Sequence, residues 1–398
     1  MAGSTWWRGA RRWTALAVGC ATLASGPMAG AAAAPAAPPP AVSARASVLL
    51  DGHTGQVLAS THPDRELPMA SVTKLMTLVL AFRAIARRQV RLSDWVPVSE
   101  EAYRTEGSQI WLEPGERLTL EQMLTAIAVG SANDASVAVA QFLAGSTGAF
   151  VSEMNREAAR LGMRHTHFDN PHGLPSLQHY STAADLGRLA MAAVRMPGLL
   201  AATSGWQNRT IRNGKGGTLW LVNQNRLLRT YPGTDGLKTG YTRSARFCLV
   251  ATTQRRGTRL IAVILGAPTS LARFRDAAAL MSWGFSHFQS VPVVSVRARM
   301  GVVGVIRGRA RRVAAVAQRS LWLTQRRGAV PARVHVVLPR TVEAPVRAEQ
   351  RLGSAVVQPA GGATRTIPLV AAGPVPAVGL PELFWRFFRA MVAVEGGR

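Results

Sequence analysis

The stretch Ala70-Ser71-Val72-Thr73-Lys74-Leu75-Met76-Thr77 places a serine three residues before a lysine, at the start of an apolar run with helical periodicity. On a helix, positions i and i+3 share a face, with Cβ atoms about 5–6 Å apart. The Ser71 hydroxyl and the Lys74 amine are therefore within reach of each other. A serine hydroxyl needs an adjacent base to act as a nucleophile, and a lysine with a lowered pKa is such a base. The alternative is an ordinary helix start, in which Ser71 is only the N-cap.

Composition narrows the class of protein. The chain has 398 residues, of which 47% are hydrophobic and 17% charged, enough for two domains with sizeable cores. A net charge of +26 predicts attraction to nucleic acid, phospholipid or an anionic wall polymer. No zinc finger or basic zipper occurs, so we expect no nucleic-acid partner. Lysine is rare among the 47 basic residues, which are otherwise arginine; the lysines are Lys74, Lys215 and Lys238.

The N-terminus is typical of an exported protein. Arginines precede an apolar stretch at Trp13–Ala24, and small residues suited to cleavage follow, which predicts a signal peptide over residues 1–34. A membrane anchor would need a longer apolar core. A lipoprotein signal ending at Cys20 and a twin-arginine signal at Arg11-Arg12 are alternatives. Once Cys20 is removed, Cys248 is the single cysteine, and its apolar neighbours predict a buried thiol.

Periodicity and turn residues divide the remaining chain. Residues 35–45 are rich in Ala and Pro and are predicted to be a linker. Over residues 46–288, helices lie between an early hairpin and late strands, which indicates a mixed α/β domain whose sheet joins both ends of the segment. Residues 289–375 consist of short Val, Ile and Leu runs separated by turn residues, and predict a small all-β domain.

The last segment, residues 381–398, predicts an amphipathic helix lying at an anionic membrane surface. It is too short to span a bilayer, and the alternative is a terminal helix docked on the protein. The predicted apolar face carries Leu383, Phe384, Phe387, Met391 and Val394, and the opposite face carries Arg386 and Arg389.

Two further motifs follow the first: Ser131-Ala132-Asn133 and Lys238-Thr239-Gly240. Each motif alone arises often by chance, but here they fall at a helix start, in a loop between helices and on a strand. The combination S-x-x-K, S-D-N and K-T-G is a signature of penicillin-binding proteins and class A β-lactamases. The chain meets this pattern with Ala132 in place of the aspartate.

On these motifs the chain resembles the serine D-alanyl-D-alanine carboxypeptidases, the low-molecular-weight penicillin-binding proteins, over about residues 45–285. The resemblance implies a mixed α/β penicillin-binding/β-lactamase-like transpeptidase domain with a central antiparallel sheet, then a small all-β domain and a membrane-associating C-terminal amphipathic helix. Further matching stretches are Pro68–Thr77, Gly107-Ser108, Leu112–Glu116, Ser131–Ala135, Leu161–Met163, Asn170–Leu174, Tyr180–Ala183 and Thr234–Thr242, with Ala344–Val346 and Leu352-Gly353 in the later part.

The same resemblance implies catalytic roles. Ser71 attacks the carbonyl of the penultimate D-Ala and becomes an acyl-enzyme, and Lys74 takes its proton. Ser131 relays a proton to the leaving amine. Asn133 binds the substrate amide or holds Lys74. The ammonium of Lys238 keeps the pKa of Lys74 low by like-charge repulsion.

Substrate binding is assigned to the third motif. Lys238 and Thr239 are implied to bind the terminal carboxylate, and Gly240 allows close approach of the backbone. The backbone N–H groups of Ser71 and Tyr241 form the implied oxyanion hole. No cofactor is expected. A metal site is not expected either, because the histidines at 165, 167, 172 and 179 lack the spacing of metal ligands. Arg246 and Cys248 depart from the glycine and asparagine that the family often has there.

The predicted function is therefore removal of the terminal D-Ala from peptidoglycan pentapeptide stems, with β-lactams as acylating inhibitors. The predicted location is the periplasm, at the outer face of the cytoplasmic membrane. A DD-endopeptidase cutting cross-links and a non-catalytic penicillin-binding or wall-binding protein are the alternatives. A β-lactamase would have no evident use for the second domain or the C-terminal helix.

Overall fold

A five-stranded antiparallel sheet forms the centre of the fold. The computed structural model describes residues 37–208, 211, 217–379, 381, 382, 384 and 385. The strand order is β2-β1-β9-β8-β7, so the N-terminal hairpin pairs with strands that lie some 200 residues later. This confirms the prediction of one sheet joining both ends of the segment. The strands of this sheet are β1 Ala46–Asp51, β2 Val57–Thr61, β7 Thr234–Thr242, β8 Arg246–Arg255 and β9 Thr258–Ala267. Two separate two-stranded sheets lie between β2 and β7 in the sequence: β3 Trp95–Pro97 pairs with β4 Arg117–Thr119, and β5 Gln207–Asn208 pairs with β6 Leu221–Val222.

Helices cover both faces of this sheet. Alternate side chains of a strand point to opposite faces, and Val48 and Leu50 pack into one core while Leu49 packs into another. The first core contains the early helices and the second contains the last helix. The helices are α1 Lys74–Ala86, α2 Glu100–Tyr103, α3 Leu120–Thr125, α4 Asn133–Ala144, α5 Thr147–Arg160, α6 Ala183–Ala193, α7 Pro197–Ser204, α8 Leu227–Thr230 and α9 Ser270–His287.

Residues 288–371 form eight strands joined by turns and loops. Their six-stranded sheet has the order β14-β16-β17-β12-β11-β15, and β10 pairs with β13 beside it. Val303, Ala355 and Leu369 lie fully buried in its core. The strands are β10 Phe288–Val294, β11 Arg299–Ile306, β12 Arg312–Ala317, β13 Leu321–Arg326, β14 Arg333–Val337, β15 Thr341–Glu343, β16 Arg351–Gln358 and β17 Arg365–Ala371.

One buried carboxylate joins the α/β part to the β-rich part. Asp51 Oδ2 accepts hydrogen bonds from Ser290 Oγ and Thr324 Oγ1, each at 2.8 Å. Beside it, the His53 ring stacks on Trp322 with 3.9 Å between ring centroids. A carboxylate that is completely buried needs such donors, because water cannot reach it. These hydrogen bonds and the ring stacking therefore fix the β1–β2 turn against the β10–β13 pair.

Several local predictions can be compared with the structure. Thr119 and Gln122 form the predicted capping box at the start of α3. The interpretation of Ser71 as a helix cap is wrong, because neither the 3₁₀ turn Ala70–Thr73 nor α1 receives a side-chain cap hydrogen bond. Ser43, in the stretch predicted as a linker, binds the Asp276 carboxylate on α9 through its backbone N–H and hydroxyl.

The predicted signal peptide and most of the predicted C-terminal helix lie outside the described residues. Within the described part, no single helix has the length and apolar composition needed to cross a membrane. The consecutive helices α4 and α5 reach that composition only together, and they are bent by 84°.

Candidate active site

Ser71 lies in a 3₁₀ turn that is held from two sides. The turn Ala70–Thr73 leads directly into α1. On one side is Gly173, whose φ of +93° favours glycine. A Cβ at Gly173 would lie 2.0 Å from the carbonyl oxygen of Ala70. On the other side is Gly240 of β7, where a Cβ would lie 2.9 Å from the Ser71 nitrogen. Both glycines are required by close backbone approach.

The Lys74 amine is the centre of the hydrogen-bond network. Lys74 is fully buried, and its Nζ donates to Ser71 Oγ at 2.9 Å. It also donates to Asn133 Oδ1 and to the His172 carbonyl oxygen, each at 2.6 Å. The structure thus brings the first and second sequence motifs together around one nitrogen. All three hydrogens of the ammonium are used, so its position is fixed.

The pKa of Lys74 lies well below its usual range. Burial is the largest cause, since a desolvated ammonium loses its hydration. The charge of Lys238 lowers the pKa further, and the carboxylate of Asp134 acts in the opposite direction. The sequence-based argument gave burial or neighbouring cations as the possible causes and stressed Lys238, whereas desolvation is the stronger effect.

The second motif lies at the junction between α3 and α4. A π-helical turn, Ala126–Gly130, ends at Ser131, whose φ of 60° is left-handed. This reversal places Ser131 in the site, with its hydroxyl accepting from Lys238 Nζ at 3.0 Å. Asn133 begins α4 and donates from Nδ2 to the Glu106 carbonyl oxygen at 2.5 Å. That bond orients the amide so that its oxygen faces Lys74.

The third motif lies on edge strand β7. Lys238 and Thr239 are almost fully buried, whereas Tyr241 is more than half exposed and packs against Phe247. Burial and, to a smaller extent, the nearby guanidinium of Arg273 together lower the pKa of Lys238 to about 7. The Lys238 amine therefore bridges the strand and Ser131, and it titrates near neutrality.

Two contributors to the site were missed in the sequence. The His172 carbonyl, from a loop predicted only as structural, is the third acceptor of Lys74. Arg273 of α9 is buried behind β7, and its Nη1 donates to the Gly240 carbonyl oxygen at 3.1 Å. The buried Nε of Arg273 has no hydrogen-bond partner among the described residues. A charged residue at an otherwise apolar face of the α9 sequence is the signal that could have indicated Arg273.

The four clustered histidines have separate environments. His179 Nε2 lies 2.6 Å from Thr73 Oγ1, and its ring packs edge-on against Phe168. Desolvation lowers the pKa of His179 to about 4 and that of His172 to about 3, so both rings are neutral at physiological pH. Across the described residues, no group of three or more His, Cys, Asp or Glu side chains is placed to hold a metal ion.

The two departures from the family pattern have clear positions. Arg246 is exposed and has a φ of +57°, a conformation that costs least for glycine. Cys248 is fully buried, as predicted, and burial raises the pKa of its thiol to about 11. Its sulfur therefore stays protonated and is a poor nucleophile.

The chain is similar to known proteins in sequence and in fold. The family model described as D-alanyl-D-alanine carboxypeptidase matches residues 32–269. A Bacillus subtilis D-alanyl-D-alanine carboxypeptidase, DacF, is 34% identical over 330 residues, covering 82% of this chain and 85% of the relative. A Pseudomonas aeruginosa D-alanyl-D-alanine endopeptidase is 33% identical over 264 residues, 64% of this chain and 83% of the relative. The structure of penicillin binding protein 5 from Haemophilus influenzae superposes with a TM-score of 0.72 at 27% identity, covering 85% of this chain and 99% of that one.

Proposed function

The chain belongs to the D-alanyl-D-alanine carboxypeptidase family, and we propose that Ser71 is its acylated residue and Lys74 the base. The protein is a serine-type D-Ala-D-Ala carboxypeptidase that acts on cell-wall peptidoglycan. The enzyme itself is a target of β-lactams. The observation that carries the residue assignment is the 2.9 Å hydrogen bond from Nζ of the fully buried Lys74 to Oγ of Ser71, which is partly exposed.

Acylation follows from the state of Lys74. In its neutral form the amine accepts the Ser71 proton as the oxygen attacks the penultimate D-Ala carbonyl. The lowered pKa keeps part of the enzyme in that form. The bond to Asn133 and the bond to the His172 carbonyl hold the amine in place while the proton moves, so no reorganisation is needed.

Departure of D-Ala needs a proton on its nitrogen. The Ser131 hydroxyl accepts a hydrogen bond from Lys238 Nζ, and we assign to this hydroxyl the relay of a proton to the leaving amine. The protonated Lys238 and the hydroxyl of Thr239 bind the terminal carboxylate. The buried guanidinium of Arg273 behind Gly240 adds positive potential at that end of the site. Water then hydrolyses the ester, and Lys74 serves again as the base.

The oxyanion is assigned to the backbone N–H groups of Ser71 and Tyr241. The close approach of β7 to the 3₁₀ turn at Gly240 supports this assignment. Such a donor pair contributes roughly 3–4 kcal/mol per donor in other enzymes. An open cavity of about 600 Å³ beside the site, bordered by Arg104, Glu106 and His172, offers room for the rest of the stem peptide.

The test is adduct mapping together with product release. Labelled penicillin should attach to the peptide that contains Ser71, and Ser71→Ala should release no D-Ala from a pentapeptide ending in D-Ala-D-Ala. Ser71→Ala retaining release, or an adduct on another peptide, would refute the assignment. Ser152→Ala, at an exposed serine on α5 whose hydroxyl donates to the Gly148 carbonyl oxygen, is the matched control and should retain both properties.

A second activity is favoured by one observation, the match to an endopeptidase from P. aeruginosa. Cross-link cleavage uses the same acylation chemistry on a longer substrate. A cross-linked dimer should be presented beside the pentapeptide at equal concentration. Faster cleavage of the cross-linked dimer than of the pentapeptide would favour the endopeptidase activity.

Location, domain limits and membrane attachment are also proposals. Residues 1–34 are proposed to be a signal peptide that directs the enzyme to the periplasm, and residues 35–45 a linker. Residues 46–288 are the proposed catalytic domain and 289–375 the β-rich domain. Residues 381–398 are proposed to hold the protein on the outer face of the cytoplasmic membrane, and truncation near residue 378 should release it. No nucleic-acid partner is proposed.

A further inference from the structure

The turn between β11 and β12 carries a concentrated positive charge. Its sequence, Arg307-Gly308-Arg309-Ala310-Arg311-Arg312, has four arginines in six residues. All four arginine side chains are exposed. Arg307 Nη1 lies 3.2 Å from Glu343 Oε1. The turn, called here the arginine hairpin, carries four formal positive charges within six residues.

The arginine hairpin is bonded to the chain just before the C-terminal segment. Arg309 N donates to the Pro376 carbonyl oxygen at 2.9 Å, and Val378 N donates to the Arg307 carbonyl oxygen at 2.8 Å. A β-bridge between Gly308 and Ala377 completes the pairing. Residue 379 therefore leaves the β-rich part from the base of the hairpin. The hairpin and the start of the C-terminal segment lie at the same place on the surface.

We infer that the arginine hairpin binds anionic phospholipid headgroups, beside the point where the C-terminal segment enters the bilayer surface. This inference rests on the membrane attachment proposed above. Guanidinium groups bind phosphate oxygens in a bidentate manner, and a basic cluster next to a membrane-associating segment is attracted by an anionic leaflet.

Two features favour a lipid surface over a soluble wall polymer. Phe384 and Trp385, described just after the bonded stretch, have 72% and 60% of their surface exposed. Aromatic side chains next to basic ones suit the boundary between headgroups and acyl chains, and a phosphate polymer has no apolar phase to receive them. In addition, Ile306 at the base of the hairpin is half exposed.

The register of the sheet supplies a matched control. Arg319 follows β12 at the end opposite to Arg312, and Arg365 begins β17 at that same end. Arg333, which begins β14, pairs with Gln358 next to Arg365. These three arginines are exposed and lie at the far end of the sheet. Replacing them changes the net charge by the same amount without touching the hairpin.

The experiment measures binding of the full chain to vesicles of phosphatidylcholine with 30% phosphatidylglycerol, and to pure phosphatidylcholine. The test variant is Arg309→Gln, Arg311→Gln and Arg312→Gln, which leaves the Arg307–Glu343 pair intact. The control is Arg319→Gln, Arg333→Gln and Arg365→Gln. Each basic residue near an anionic leaflet raises binding about fivefold, so the test variant should lose roughly 100-fold on anionic vesicles and the control far less. The difference should shrink in 1 M NaCl.

The outcomes separate this inference from the proposed anchor. Equal loss in the test and control variants would overturn the role of the hairpin. The inference would also be overturned if the test variant lost binding to soluble poly(glycerol phosphate) while its binding to vesicles was unchanged. A chain ending at Gly379 tests the anchor: if it binds vesicles as well as the full chain does while the hairpin variant does not, the anchor fails and the hairpin stands. D-Ala release from a soluble pentapeptide should be unchanged in both triple variants, which shows that they fold.

Discussion

Adding one methyl group at Gly240 tests how closely strand β7 must approach the turn that carries Ser71. In Gly240→Ala the new Cβ would lie 2.8 Å from the Met69 carbonyl oxygen, 2.9 Å from the Ser71 nitrogen and 3.0 Å from the Val72 nitrogen. All three atoms are backbone, so no side chain can rotate away. Ordinary contact begins at 3.4 Å, which requires β7 and the 3₁₀ turn to separate by 0.4–0.6 Å.

Such a separation displaces the strand that supplies one of the two assigned oxyanion donors. Complete loss of a donor costs about 10²–10³ in rate, and a misplacement of about 1 Å costs about 10². For Gly240→Ala we therefore expect acylation by a fluorescent penicillin to slow roughly 30- to 100-fold, about 2–3 kcal/mol in activation free energy. The kcat/KM for D-Ala release should fall in parallel, because both reactions pass through the same oxyanion.

The control is Gly148→Ala, in the first turn of α5, where no heavy atom lies within 4 Å of the new Cβ. That variant should react at the rate of the original protein and unfold at the same or a higher temperature, because alanine favours helix. Thermal unfolding of Gly240→Ala shows whether its site is displaced in a folded protein. An acylation rate for Gly240→Ala within threefold of the original would refute the close-approach argument.

Four further changes have distinct expected outcomes. The kcat/KM should fall as pH rises through about 7, where Lys238 loses its proton. Lys238→Arg should abolish that fall because arginine stays charged. A pH profile of Lys238→Arg that matches the original one would contradict the role of Lys238 in binding the carboxylate. Asp51→Asn should lower the free energy of unfolding in urea by about 2–3 kcal/mol, because two buried hydroxyls lose an ionised acceptor, while pentapeptide turnover stays constant. Arg246→Gly should raise stability by about 1 kcal/mol, since φ is +57° there, and a lower melting temperature would contradict this. Cys248 should resist iodoacetamide at pH 8 until the chain is unfolded, because its pKa is about 11.

Local patterns in the sequence predicted the elements of the fold well. The early β1–β2 hairpin and the capping box at Thr119 both depend on residues close together in the chain, and both appear in the structure. The end of α3 was less predictable. Its last turn is π-helical, and Ser131 reverses the chain with a positive φ. A short run of apolar residues carries no signal for that change of hydrogen bonding.

Contacts between distant segments limited prediction of the site. The Ser71–Lys74 pair follows from helical spacing, but its acceptor at His172 is a backbone carbonyl, which any residue would supply. The buried Arg273 lies 35 positions after Lys238 and reaches the site only because α9 packs behind β7. The same limit applies to Asp51, whose partners Ser290 and Thr324 lie in the β-rich part. Hydroxyl and carbonyl partners of this kind leave no motif.

The two lysines of the site differ in what controls their protonation. Burial is the largest cause of the low pKa of Lys74, and this effect persists when Lys238 is neutral. Lys238 titrates near pH 7, so in the free enzyme its charge is only partly present. A substrate carboxylate bound to Lys238 favours the ammonium form and raises that pKa. The retained charge then acts on Lys74 and lowers its pKa further, at the moment when Ser71 must lose its proton. On the roles proposed for these residues, binding of the terminal carboxylate and activation of the base would be coupled through Lys238, and a ligand without that carboxylate would forgo both contributions.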